Sequence, residues 1–322
     1  MASSSSLFFY RNFSTYNCIY FLLILIFSVS TKHALGCYTS IFSFGDSLAD
    51  TGNLLHISDS SIRPPHFALP PYGETYFHRP TGRCSDGRLI IDFIDCKQLL
   101  RSSLILMGEI GGNDYNHAFE SGRSIQEIRS FVPLVVNVIS WAINELIELG
   151  ATTLMVPGNL PTGCTPFYLT TYMSSIEEDY DCETGCLVWL NEFAEYHNEM
   201  LRIELNRIQE RHPHTTIIYA DYYNAAMRFY HSPSKYGFSG ARVLKACCGA
   251  KEGLYDFNAT VECGYPPSRP CDDPSSYANW DGLHLTEAAY RWISTGLLEG
   301  PYTIPPIDTS CISSPVTTVS LK

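Results

Sequence analysis

The sequence predicts an α/β fold, with a parallel sheet lying between two layers of helices. Three observations carry the prediction. Short apolar runs of strand length recur along the chain, amphipathic segments of helix length separate the later ones, and the earlier runs end in loops of small and polar residues. Strands that alternate with helices pair in parallel, because a helical crossover brings the chain back to the same edge of the sheet.

The first run is "SIFSF", ending at Phe44 and followed by "GDSLADTGN". The second, "LILMGEI" from Leu104, leads into "GGND" at Gly111 to Asp114. A helix follows from Val132 to Leu149, where Val135, Val138, Ile139, Ala142, Leu146 and Leu149 keep a helical apolar period. The third run, "TTLMVP" from Thr152, opens into "GNLPTGC". Leu190, Phe193, Ala194, Leu201, Leu205 and Ile208 define a second helix over Leu187 to Ile208, ahead of a fourth run, "TTIIYA" from Thr215. A last helix begins after Thr286, an N-cap residue with Glu287 in the first turn, and the remaining Pro- and Ser-rich tail reads as extended. In such a sheet, ligands bind beyond the carboxyl ends of the strands, so the loops after Phe44, Leu104 to Ile110 and Pro157 converge on one rim.

The amino-terminal segment reads as a leader. An apolar run of 11 positions, Ile19 to Val29, broken only by Ser28, follows Arg11, and small residues stand at Ala34 and Gly36. That is the length of a signal-peptide core and too short for a membrane span. Cleavage is expected after Gly36, leaving 322 − 36 = 286 residues (37–322) as a single secreted domain. No later segment reads as long and apolar enough to cross a membrane. Twelve cysteines suit an oxidising compartment, and eleven remain once Cys18 leaves with the leader. Cys182 and Cys186 read as a local disulfide in preference to a metal site, since no further His or Cys stands nearby in ligand spacing. "NAT" at Asn258 is a glycosylation sequon. A formal charge of −12 with no basic run argues against nucleic acid or anionic lipid as partners, and suits neutral or cationic small molecules. Oligomeric state is not legible.

Ser47 follows the first strand. Gly, Asp and Ser are ordinary turn residues, so the serine gains chemical meaning only with a base and an orienting acid. "DGLH" supplies both: Asp281 and His284 lie three residues apart in the loop before the last helix. Asn113 of "GGND" can donate its amide to a developing oxyanion. The motifs G-x-S-x-G, H-E-x-x-H and G-x-G-x-x-G do not occur, which sets aside nucleophile-elbow hydrolases, zinc proteases and dinucleotide enzymes.

Taken together, "FGDSLADTGN", "GGND" and "DGLH", with "VPGNLPTGC", "YADYYNA", "CCG" and "WDGLHLTEAAY" around them, resemble the large plant branch of the GDSL esterase/lipase family, SGNH hydrolases with a three-layer, flavodoxin-like fold. The resemblance implies a serine esterase that needs no metal or organic cofactor and acts on small-molecule esters. It makes Ser47 the nucleophile, Asp281 and His284 the acid and base, and the Ser47 N–H and Asn113 the oxyanion donors. One family block has no counterpart. Only 113 − 47 = 66 positions separate Ser47 from Asn113, and a strand, its oxyanion glycine loop and a helical segment are missing at an abrupt junction near residues 95–103. The strand before Ser47 is therefore expected to lie unpaired on one side. A catalytically impaired secreted glycoprotein that binds esters or glycans is the alternative this departure raises.

Overall fold

The computed structural model describes residues 40–57, 64–93 and 103–307. The leader, Cys37, Cys96, Cys311, residues 95–102 of the junction and the end of the tail lie outside the described residues. Four short strands, β1 (Ser40–Ser43), β2 (Ser103–Leu106), β3 (Thr153–Pro157) and β4 (Thr216–Ala220), pair in chain order and in parallel. A two-residue strand, β5 (Thr303–Ile304), adds antiparallel to β4. Among the described residues, seven helices accompany the sheet: α1 (Asn53–Ile57), α2 (Gly112–Glu120), α3 (Ile125–Glu148), α4 (Pro166–Thr171), α5 (Val188–Arg211), α6 (Tyr222–His231) and α7 (Glu287–Glu299).

Alternation along the strands divides the core in two. Ile105, Leu154, Val156 and Ile217 face one side, where they pack with α2, α3 and α5 through Phe119, Ile128, Val132, Leu190 and Phe193. Leu104, Leu106, Met155 and Ile218 face the other side, against Ala225 and Phe229 of α6 and Tyr290 and Ile293 of α7. This is the three-layer arrangement expected. Each fully buried aliphatic side chain contributes about 1.5–3 kcal/mol, so four strands with two apolar faces still carry a substantial core. Among the described residues β1 has a single neighbour, β2, and forms the sheet edge.

Three sequence readings need correction. The first helix begins at Ile125, ahead of Val132, because Ser124 caps it by accepting the Glu127 N–H at 3.3 Å. Its buried face is Ile128, Val132, Val135, Ile139 and Ile143, leaving Val138 58% and Leu149 84% exposed. The helix is apolar on more than one side, so periodicity alone does not identify the packed face. Second, that helix is long and apolar enough to cross a membrane by length and composition, contrary to expectation. It lies here against α5 and the sheet as part of the core. Third, Cys182 and Cys186 do not pair. Cys186 bonds Cys164, which the "GNLPTGC" loop brings under the start of α5, while Cys182 is exposed and unbonded. Distance along the chain misleads because the fold, not the spacing, chooses the partner. The last helix keeps its expected start: the Ala289 N–H donates to the Thr286 hydroxyl at 3.2 Å.

Candidate active site

The strand order places the loops after β1, β2 and β3 on one rim. The chain leaves β1 through Phe44, whose N–H continues the ladder by donating to the Leu106 carbonyl at 2.8 Å. It then turns tightly. Asp46 accepts the Leu48 N–H on its carboxylate at 3.0 Å, and its carbonyl accepts the Ala49 and Asp50 N–H groups. Two glycines let this loop touch the one after β2. A Cβ at Gly108 (φ +62°) would lie 2.0 Å from the Phe44 carbonyl oxygen, and one at Gly45 (φ +152°) would lie 3.0 Å from the Gly108 Cα.

Asp281 and His284 occupy a braced loop. The Trp280 N–H donates to the His284 carbonyl, and the Cys248 N–H donates to that of Trp280. Disulfides Cys247–Cys271 and Cys248–Cys263 tie down the surrounding loops. The Phe167 N–H at the start of α4 holds the Gly282 carbonyl at 2.9 Å. One oxygen of Asp281 accepts the Leu283 and His284 N–H groups at 2.8 and 2.9 Å. The other accepts His284 Nδ1–H at 2.9 Å and the Tyr72 hydroxyl at 3.1 Å. His284 Nε2 lies 2.8 Å from Ser47 Oγ. An ionised carboxylate only accepts, so the proton sits on Nδ1, and Nε2 is the acceptor for the serine hydroxyl.

Burial opposes charge on both members of the dyad, but their mutual attraction prevails. Burial alone would raise the Asp281 carboxyl; the adjoining imidazole and the loop N–H groups hold it well below the usual carboxylate range. Burial likewise would lower His284, yet Asp281 and, further off, Asp46 keep it above the ordinary 6.5.

Asn113 stands in the first turn of α2 and lines two cavities with Ser47. One, of about 380 Å³, runs past Glu109, Asn116, Tyr168 and His284. The other, of about 450 Å³, opens at the exposed end of β1, between Phe44, Asn53, Leu54 and Cys84. A third, of about 270 Å³, lies behind His284 against Tyr72, Phe167 and Phe257. Asn258 lies at the surface beyond that third cavity, its side-chain oxygen accepting the Thr260 N–H and hydroxyl at 2.9 and 2.8 Å.

Ser47, Asn113, Asp281 and His284 are thus brought together, and Asn258 stands apart from them. Sequence reasoning missed Tyr72, which reaches Asp281 across 209 positions and has no motif to signal it. It also missed Glu109, buried on the cavity wall beside Asn113. Its place in "GEIGGND", just past a strand, was the available signal.

The sequence model of the family described as GDSL-like Lipase/Acylhydrolase matches residues 97–297. The match begins at the junction where the sequence reads as abrupt. Three GDSL esterase/lipases of Arabidopsis thaliana are 44%, 44% and 41% identical, covering 92%, 91% and 93% of this chain and 94%, 90% and 95% of their own. The first of these alignments runs over 370 positions against 322 residues in the chain, so at least 370 − 322 = 48 positions face no residue here.

Proposed function

The chain belongs to the GDSL-like lipase/acylhydrolase family and is a carboxylic ester hydrolase, and from that premise we propose that it is a secreted serine esterase acting through an acyl-enzyme on Ser47. The observation that carries the reading is the unbroken line from Ser47 Oγ through His284 to Asp281. His284 Nε2 takes the hydroxyl proton as Oγ bonds to the ester carbonyl carbon. The Ser47 N–H and the Asn113 amide hold the oxyanion. His284 then returns the proton to the departing alcohol as the C–O bond breaks, and water attacks the acyl-serine by the same route. The mature chain begins at residue 37 and carries a glycan at Asn258, a reading that the apolar leader and the sequon support.

Two expected results follow from these roles. Asn113→Ala lowers kcat by about 10²–10³-fold, some 3–4 kcal/mol, with a smaller change in KM, because the donor acts on charge that develops in the transition state. The base must be neutral to work, and His284 is raised above 6.5. kcat/KM therefore falls as pH drops through that raised value, and a pH–rate profile on a neutral ester measures it.

One observation favours a second reading, a weakly catalytic ester- or glycan-binding protein. Among the described residues β1 is the sheet edge, and the 450 Å³ cavity opens beside Ser47 in a chain whose sequence lacks the family's glycine block. Purified chain tested on p-nitrophenyl acetate and butyrate separates the two. Turnover stopped by one covalent alkyl fluorophosphonate adduct per chain supports the esterase, and ligand binding without turnover by a folded, monodisperse sample supports the binder.

A further inference from the structure

Glu109 is a buried carboxyl group, 6% exposed, that the steps above do not use. It stands between the two loops that carry Ser47 and Asn113. On one side it accepts the N–H of Gly112, the residue before Asn113, and a Cβ at Gly112 would lie 2.5 Å from its Oε2. On the other, the Gly45–Gly108 contact presses its loop onto the one that bears Asp46. Asp46 and Glu109 line the same cavity as Ser47, Asn113 and His284.

The charged groups around it decide its state. A helix N-terminus favours an anion, and the Gly112 N–H acts in that direction. Against it stand burial and the carboxylates of Asp46 and Asp114, which together raise Glu109 well above the ordinary carboxyl range. The neighbouring phenols offer no counter-charge: Tyr115 of α2, Tyr168 of α4 and Tyr222 of α6 are all themselves raised by burial and by Glu109. His284 acts on Asp46. Glu109 is buried and Asp46 half-buried on the same cavity wall, and two such carboxyl groups share a site best with one proton between them.

We propose that Glu109 is a positioning residue that works as the neutral acid, its carbonyl oxygen holding the Gly112 N–H and its hydroxyl donating to the Asp46 carboxylate, so that the oxyanion turn is fastened to the nucleophile loop. The proposal rests on the reading of Asn113 as an oxyanion donor. It makes the spacing of Asn113 and Ser47 depend on a proton that neither residue holds.

The test compares Glu109→Gln with Glu109→Ala in the full chain. Glutamine reproduces one acceptor and one donor without charge, so kcat stays within about threefold of the parent. Alanine leaves Asn113 unfastened, and a displacement near 1 Å costs on the order of 10–10²-fold in kcat with KM little changed. Infrared difference spectra of parent minus Glu109→Gln at neutral pH are expected to contain a protonated-carboxyl band. That band does not depend on turnover, so it reports on Glu109 even if hydrolysis proves independent of Ser47. Absence of the band, a glutamine variant as impaired as alanine, or an alanine variant as active as the parent overturns the proposal.

Discussion

Ser47→Ala is expected to lower kcat for p-nitrophenyl butyrate by about 10⁴-fold or more while leaving the chain folded. On the proposed mechanism the substitution removes the atom that forms the acyl bond and keeps the backbone N–H assigned to the oxyanion. The recorded partner of the hydroxyl is His284 Nε2, at 2.8 Å. The turn itself is held by the Asp46 carboxylate and carbonyl and not by the Ser47 hydroxyl. A serine of purely structural use would show the opposite pattern, a stability loss on the order of 1 kcal/mol with turnover intact. Thermal unfolding beside the kinetics separates the two.

Asp281→Asn is expected to cost about 10⁴-fold in kcat, from an almost isosteric change. The loop N–H groups of Leu283 and His284 would still find the amide oxygen. The other position of the side chain becomes an NH₂, which cannot accept from Nδ1. The imidazole then carries its proton on Nε2 and cannot take one from Ser47. Losing the carboxylate also removes what keeps His284 above 6.5 against burial, so the acid limb of the residual activity moves to lower pH. A limb that stays in place would mean that another group sets it.

The legible parts of this protein are those that local spacing decides. The runs "TTLMVP" and "TTIIYA" announced strands within a residue of their observed ends, whereas "LILMGEI" overran β2, which stops at Leu106, and "DGLH" placed an acid beside a base because only two residues separate them. Contacts that fold assembly alone creates were not legible. Tyr72 meets Asp281 from the far side of the chain, and Cys164, not Cys182, meets Cys186. The packed face of α3 escaped notice because Val138 and Trp141 are as apolar as the core positions yet face outward. The missing block was visible as an abrupt junction. The edge that β1 forms among the described residues was expected from it, whereas the cavity beside Ser47 emerged only with the folded chain.

Acid-quenched mass spectrometry during p-nitrophenyl acetate turnover tests the central claim most directly. The account predicts a single acetyl group on the peptide containing Ser47, absent from Ser47→Ala and accumulating in Asp281→Asn only slowly. Turnover by the parent chain with no adduct, or with the acetyl group on another residue, would contradict it.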